Sequence, residues 1–126
     1  MNKSRFDIYN RAFEFAVKTA KFTKKMPKNS VTMEYAKQLI RSSSSVGANL
    51  EEADGALTKK DFINKLGIAR RESSESRHWL KLIHSVENFT SKELNGELSW
   101  LIKEAEELKL ILSSIISKTK KNAKGA

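Results

Sequence analysis

The segment from Leu39 to Gly55 constrains the fold of this chain most strongly, because small side chains recur along it at helical spacing. Its sequence is LIRSSSSVGANLEEADG, in which Leu39, Ser43, Val46 and Leu50 follow one another at steps of four, three and four. That spacing places the four residues on one stripe of an α-helix. The residues around the stripe are mostly serine, glycine and alanine, which let neighbouring backbones come close. We therefore expect this helix to lie between other helices.

The rest of the chain also has helical character. Apolar residues recur at helical spacing, and 126 residues include only one proline and five glycines. We predict helices over residues 5–25, 30–53, 58–88 and 91–118. Short connections make consecutive helices antiparallel, so the predicted fold is an all-α, up-and-down antiparallel four-helix bundle. The bundle is expected to span residues 1–118 as one domain, and the lysine-rich residues 119–126 are expected to form a disordered tail.

Residues suited to helix ends mark the predicted boundaries. The segment 27–30 offers two N-cap residues for the second helix, and Thr58 is the expected N-cap of the third. Thr90 or Ser91 is expected to cap the fourth helix. Gly55 is free to adopt the left-handed turn that commonly ends a helix.

The first helix carries two apolar stripes on nearly opposite faces. The stripe predicted to face the core consists of Phe6, Tyr9, Phe13, Ala16 and Ala20. The other stripe repeats every seven residues and consists of Ile8, Phe15 and Phe22. Because a surface helix of a monomer needs only one apolar stripe, we predict that the second stripe forms a contact between subunits. On the third helix the residues predicted for such a contact are Ile68, Trp79 and Val86.

Basic residues are concentrated at the beginning of the chain. The net charge is +9, and residues 1–29 carry eight basic and only two acidic side chains. The basic residues predicted to share about a quarter of the first helix's circumference are Arg11, Lys18, Lys21, Lys25 and Lys28. A basic face favours polyanions through counterion release, and we interpret this stripe as a nucleic-acid-binding surface. The alternative is a solvated face that keeps the protein soluble.

No constellation of residues indicates an enzyme. Glu75 and His78 have the Glu-x-x-His spacing of di-metal helical bundles, but such sites need the motif twice and two further glutamates. The chain contains no cysteine. The serines of residues 42–45 lack the surroundings of a nucleophile. We therefore predict no catalytic residue, no metal and no cofactor.

Four polar residues lie beside the apolar stripes of the second and third helices. They are Asn49, Glu52, Glu72 and Glu75. We predict that they form a structural polar network, in which Asn49 and Glu52 meet the glutamates or an arginine of the third helix. The candidate arginines are Arg70, Arg71 and Arg77.

The predicted location is cytoplasmic. The sequence begins MNKSRFD without a following apolar run, and every uninterrupted apolar run is only a few residues long. Such runs are far shorter than a membrane-spanning helix requires. We expect no membrane association.

Several motifs together carry a resemblance to a known family. In chain order they are Phe13-x-x-Ala16, Pro27, Gln38-Leu39-x-Arg41-Ser42, Ser45-Val46-x-Ala48-Asn49-x-x-Glu52-Ala53 and Asp61-Phe62-x-x-Lys65-Leu66-x-Ile68-Ala69-x-x-Glu72-x-x-Glu75-x-x-x-Trp79-Leu80. The combination resembles the four-helix-bundle proteins called 23S rRNA intervening-sequence proteins, over roughly residues 6 to 115. That family is also similar to the accessory proteins of diversity-generating retroelements, which assemble as basic homopentameric barrels with a proposed role in binding nucleic acid and a reverse transcriptase.

The resemblance implies a bacterial protein that forms a homo-oligomer, with a pentamer as the expected state, and it implies no catalytic residue. Besides a metal-dependent bundle enzyme, which the single Glu-x-x-His motif disfavours, two interpretations of its function stay open. One is a non-enzymatic oligomer that binds RNA or DNA through the basic surface of the first helix. The other is a protein-interaction scaffold or accessory subunit that binds a protein partner without direct contact to nucleic acid.

Overall fold

Four α-helices account for nearly all of the described chain. They are α1 (Lys3–Lys25), α2 (Ser30–Asp54), α3 (Lys59–Glu87) and α4 (Lys92–Gly125). The structure is a computed structural model that describes the backbone of residues 3–125 and the side chains of residues 8–122, and this range contains no strand. Each helix packs against the next, and α4 packs back against α1. The predicted all-α four-helix bundle is confirmed.

The helices begin at polar residues whose side chains cap the free backbone N–H groups. The Asn29 side chain accepts hydrogen bonds from the backbone of α2, and the Thr32 hydroxyl accepts one from the Asn29 N–H at 3.0 Å, which completes a capping box. Thr58 accepts a 3.1 Å bond from the N–H three residues later. Ser91 does the same at 3.1 Å. Short-range chemistry therefore sets three of the four helix starts.

The turn that ends α2 differs from the prediction. Gly55 has a φ of −91°, so the left-handed turn predicted there is wrong. Its N–H instead donates to the Glu52 carbonyl at 3.2 Å, which closes the last turn of α2 tightly. The left-handed residue is Asn88, with a φ of 49°, at the end of α3. Asparagine adopts this conformation more readily than most residues.

The fourth helix continues beyond the predicted end of the bundle. The sequence predicts a tail over residues 119–126, whereas α4 runs to Gly125. The segment contains no proline, and lysine is a good helix former. Lysines in the last turns of a helix also interact favourably with its dipole. These local preferences favour continuation of the helix.

The stripe of α1 that faces the core is the one predicted to contact another subunit. Ile8, Phe15 and Phe22 are no more than 1% exposed. The same stripe also contains Ala12, Thr19 and Met26, and all three are buried. Together the six residues follow one another at alternating steps of four and three. Fully buried side chains have no surface left for a partner, so the prediction of Ile8, Phe15 and Phe22 as a subunit contact is wrong.

The stripe predicted to face the core lies outward instead. Phe13 is 70% exposed, and Tyr9 is only partly buried. The side chain of Phe6 lies outside the described residues. Both stripes have helical spacing, so periodicity alone does not decide between them. The buried stripe continues to Met26 at the end of α1, so its burial removes apolar surface from water along the whole helix.

The small side chains of α2 do bring it close to α3. Ser42 and Ser76 are fully buried, and their hydroxyl oxygens lie 2.8 Å apart. Ser43 and Ser73 are also buried, and each bonds to a carbonyl of its own helix. A hydrogen bond between two such short side chains requires closely spaced backbones, as the Leu39–Gly55 segment predicts.

Across residues 3–125, no helix combines the length and the apolar character needed to cross a membrane.

Candidate functional site

The seam between α1 and α4 is held by an arginine that the sequence suggested for nucleic-acid binding. Arg11 donates from Nε to Glu104 Oε2 at 3.0 Å and from Nη2 to Glu104 Oε1 at 2.7 Å. It also donates to Glu107 at 2.8 Å. Glu104 is only 7% exposed. The hydrogen bonds that Arg11 donates to Glu104, followed by the one that it donates to Glu107, raise the pKa of Arg11 above its usual value. Arg11 is therefore a structural residue.

Lys25 makes a similar contact at the other end of this seam. Its ammonium lies 2.9 Å from Glu93 and 3.0 Å from Glu97, both on α4. The hydrogen bond to Glu93, assisted by that to Glu97, raises the pKa of Lys25. Lys18, between these two sites, pairs at 3.1 Å with Glu14 of its own helix. Surface pairs of this kind contribute little stability, because water and salt screen the two charges.

The predicted basic stripe is thus divided. Arg11, Lys18 and Lys25 have carboxylate partners, whereas Lys21 and Lys28 are exposed and form no ion pair among the described residues. A signal for this arrangement exists in the sequence. The three paired residues recur every seven positions on α1, and the acidic residues of α4 that face them recur at compatible steps, namely Glu93, Glu97, Glu104 and Glu107. Opposite charges flanking two antiparallel core stripes are typical of interhelical pairs.

A groove beside Lys18 contains an aromatic residue that sequence analysis missed. Trp100 of α4 is 39% exposed, and the Lys18 ammonium lies 4.1 Å from the centroid of its ring. The groove has a volume of about 310 Å³. It is lined by Lys18, Lys21, Lys25, Gly96, Glu97, Trp100 and Leu101. We call it the tryptophan groove. The signal in the sequence was a tryptophan outside the core heptad of α4.

A second candidate surface lies on the outside of α1 and α2. Its exposed apolar residues, which we call the outer face, are Phe13, Val17, Met33 and Ile40, with exposures of 70%, 36%, 61% and 42%. A Cβ added at Gly47 would lie 3.9 Å from that of Ala12, so α1 and α2 are closely packed along this part of their length. A groove of about 330 Å³ adjoins Met33 and Ile40.

Lysines border the end of the outer face that contains Met33 and Ile40. Lys24, Lys28 and Lys37 line the groove beside Met33 and Ile40. All three are exposed, and none forms an ion pair with another described residue. This end of the α1–α2 pair is therefore both apolar and positively charged.

The predicted polar network joins α2 and α3 through a different arginine. Arg41 of α2 donates to Glu72 at 3.0 Å and also to Glu75. The hydrogen bond from Arg41 holds the pKa of Glu75 below its usual value, and the two glutamates raise the pKa of Arg41. Glu72 is only 7% exposed, so Arg41 neutralises a carboxylate that is nearly removed from water.

The other two predicted members lie outside this network, and that part of the prediction is wrong. Asn49 donates to the Ser45 carbonyl of its own helix at 2.8 Å. Glu52 is exposed and pairs with Lys65 of α3 at 3.1 Å. The register between α2 and α3 places Arg41, rather than Asn49 or Glu52, level with Glu72 and Glu75.

The residues of α3 predicted for a subunit contact are only partly accessible. Val86 is 49% exposed, whereas Ile68 and Trp79 are half-buried. The Trp79 ring packs against Tyr35 at a centroid distance of 5.8 Å, and its indole N–H donates to Glu75 at 3.4 Å. These contacts tie Trp79 to its own bundle. A role of the three residues in assembly stays a prediction.

Glu75 and His78, which have the Glu-x-x-His spacing, each make other contacts. Glu75 is engaged by Arg41, and the exposed His78 ring lies edge-on to Trp79 at 5.6 Å. Among the described residues, no group of three or more histidine, aspartate or glutamate side chains is arranged to hold a metal ion.

Four antiparallel helices joined by ion-paired seams define an all-α four-helix-bundle protein. The chain belongs to the 23S rRNA-intervening sequence protein family, which it matches over residues 4–114. It is also similar to a protein of unknown function from the S23 ribosomal protein family of Bacteroides thetaiotaomicron, whose crystal structure has been solved. The two are 32% identical with a TM-score of 0.78, and the match covers 90% of this chain and 98% of that one. No curated protein matches the sequence.

Proposed function

We propose that this protein is a non-enzymatic, cytoplasmic homo-oligomer that holds nucleic acid without reading its sequence. One observation carries the proposal. The outer face consists of exposed apolar side chains, and its end at Met33 and Ile40 is bordered by lysines that have no ion-pair partner among the described residues. The exposed apolar side chains favour assembly with further copies of the chain. These lysines favour binding of a polyanion such as nucleic acid.

The assembly step is supported by Phe13. The Phe13 side chain is 70% exposed in the middle of α1, and a second copy that covered it would remove its apolar surface from water. At about 25 cal/mol per Å² of apolar surface, covering several such residues is strongly favourable. The resemblance to proteins that form homopentameric barrels makes a pentamer the expected state.

The nucleic-acid step is supported by Lys24, Lys28 and Lys37. These lysines border the outer face, so assembly through that face would bring lysines of adjacent subunits together. Like charges at such a border repel one another, and a phosphate backbone relieves the repulsion. Binding of nucleic acid and assembly should therefore strengthen each other, because coupling between two binding events is reciprocal.

The assembly step is tested by the molar mass of the purified protein. We expect light scattering at micromolar concentration to give an oligomer for the parent and a monomer for Phe13→Asp. Leu110→Asp is the matched control, since Leu110 is an exposed apolar residue in the middle of α4, away from the outer face. A monomeric parent, or an oligomer that survives Phe13→Asp and dissociates with Leu110→Asp, would refute assembly through this face.

The nucleic-acid step is tested by binding to RNA, duplex DNA and heparin across a salt series. Lys24→Gln, Lys28→Gln and Lys37→Gln should each reduce the salt slope by about one and weaken all sequences alike. Lys103→Gln is the control, because Lys103 is an exposed lysine on α4 far from this border. Arg11→Gln should leave the slope unchanged, since Arg11 is engaged by Glu104.

The rival interpretation is a scaffold that binds a protein partner only. It predicts an intact oligomer that fails to bind any of these polyanions. Absence of binding at about 50 mM salt, where the electrostatic attraction is strong, would exclude nucleic-acid binding and leave the scaffold.

A further inference from the structure

We propose that the tryptophan groove is a binding site for single-stranded nucleic acid, in which one unpaired base stacks on Trp100. This inference rests on the proposed nucleic-acid function and names the form of nucleic acid that is preferred. It concerns the seam of α1 and α4 rather than the outer face.

Trp100 lies on α4 at the wall of the tryptophan groove. The core positions of α4 are occupied by other residues, including Leu98, Leu101 and Ala105, all of which are at most 1% exposed. Trp100 lies outside this stripe and is 39% exposed, so its ring contributes less to the core than a buried aromatic would. An indole at the wall of an open groove offers a flat apolar surface to a ligand.

The shape of the groove makes that surface accessible. Gly96 lies one helical turn before Trp100 and lines the same groove. A Cβ added at Gly96 would meet nothing within 4 Å. The absence of a side chain there leaves space beside the indole. The volume of about 310 Å³ is within the range of sites that hold small organic groups.

The charges around the groove suit a phosphate backbone. Among the described residues that line it, three are lysines and one, Glu97, is acidic. Lys25 pairs with Glu93 and Glu97, and Lys18 pairs with Glu14. Lys21 has no ion pair among the described residues. Lys18 lies over the indole at 4.1 Å, which shows that the ring face attracts a positive charge. An entering base would take that place on the ring while Lys18 keeps its ion pair with Glu14, and Lys21 would be the lysine available to an adjacent phosphate.

An accessible indole ring beside lysines distinguishes single strands from duplexes. Stacking of a base on an aromatic side chain requires an exposed base face, which a single strand supplies and a paired duplex does not. The lysine contacts alone would serve both forms. A preference for single strands therefore depends on Trp100 and on free space beside it.

The test uses the intrinsic fluorescence of Trp100. The chain contains two tryptophans, so Trp79→Phe leaves Trp100 as the only one. In this background at about 50 mM salt, a ten-nucleotide oligo(dT) should quench the fluorescence on binding, whereas a duplex of the same length should bind without quenching. Trp100→Leu in the parent should weaken oligo(dT) binding by about tenfold, which is the loss expected for one stacked base.

Gly96→Leu provides a second variant that keeps the tryptophan. Its side chain would enter the groove and should weaken oligo(dT) binding by about tenfold, with duplex binding unchanged. Gly67→Leu is the matched control, because a Cβ at this helical glycine of α3 also meets nothing within 4 Å. Circular dichroism of both variants establishes that the bundle is folded.

The outcomes separate this inference from the proposed function. If the protein binds duplex and heparin but oligo(dT) does not quench Trp100, the groove is not a site for single strands and the proposed function still stands. The same conclusion follows if Trp100→Leu and Gly96→Leu both bind oligo(dT) as the parent does. Failure of the parent to bind any polyanion overturns both. Quenching by an oligo-glutamate peptide but not by oligo(dT) overturns the nucleic-acid ligand and assigns the groove to acidic peptides.

Discussion

Arg11→Met should destabilise the bundle without affecting polyanion binding, because Arg11 neutralises a carboxylate at the α1–α4 seam. Arg11 makes two hydrogen bonds to Glu104 and one to Glu107, at 2.7–3.0 Å. Methionine keeps much of the apolar volume of the side chain but removes all three donors. Glu104, whose side chain is only 9% exposed, then loses its partner.

The magnitude follows from the exposure of the pair. Breaking a fully buried ion pair costs about 3–5 kcal/mol, and a hydrogen bond to a charged group contributes about 1.5–3 kcal/mol. The Arg11 side chain is 33% exposed, so water can partly replace it at Glu104. The lower ends of these two ranges therefore apply, and we expect the free energy of unfolding to fall by about 2 kcal/mol. For a chain of this size that corresponds to a fall in Tm of roughly 6–10 °C.

A double-mutant cycle distinguishes the ion pair from the loss of packing. Arg11→Met, Glu104→Leu and the double variant are compared by urea denaturation followed by circular dichroism. Since an apolar pair leaves no charge unpaired, the double variant should be more stable than Arg11→Met alone. A change below about 0.5 kcal/mol for Arg11→Met would be typical of a solvated surface residue and would refute the structural role.

Three further predictions concern single residues. Phe15→Asp should prevent folding rather than dissociate an oligomer, since Phe15 is fully buried, and circular dichroism checks this. Gly96→Ala should stabilise the protein by up to about 1 kcal/mol in urea denaturation, because alanine favours the helix and its Cβ meets no neighbour. The hydrogen bond from Arg41 lowers the pKa of Glu75 in the folded state, so ionised Glu75 stabilises the fold at pH values above its unfolded-state pKa of about 4.3. This stabilisation is lost as the pH falls through the folded-state pKa of Glu75. Arg41→Met should therefore flatten the stability profile below about pH 4 in acid titrations, and an unchanged profile would contradict the assignment.

The sequence alone determined the helices and most of their boundaries. N-caps such as Asn29 and Thr58 act on N–H groups only two or three residues away, so their effect can be predicted without knowledge of the fold. The spacing of small residues in α2 likewise predicted a close helix contact, which Ser42 makes with Ser76. These features depend on neighbours in the chain and on helical geometry.

The tertiary structure decided which faces and which charges remain available. On α1, Phe15 and Phe13 belong to two stripes of the same period, and only packing against the other helices determines that Phe15 is buried. The partners of Lys25 lie 68 and 72 residues away. The meeting of Lys18 with Trp100 also depends on the register between α1 and α4. Helical spacing orients side chains about one axis, whereas the register between helices results from packing all four together.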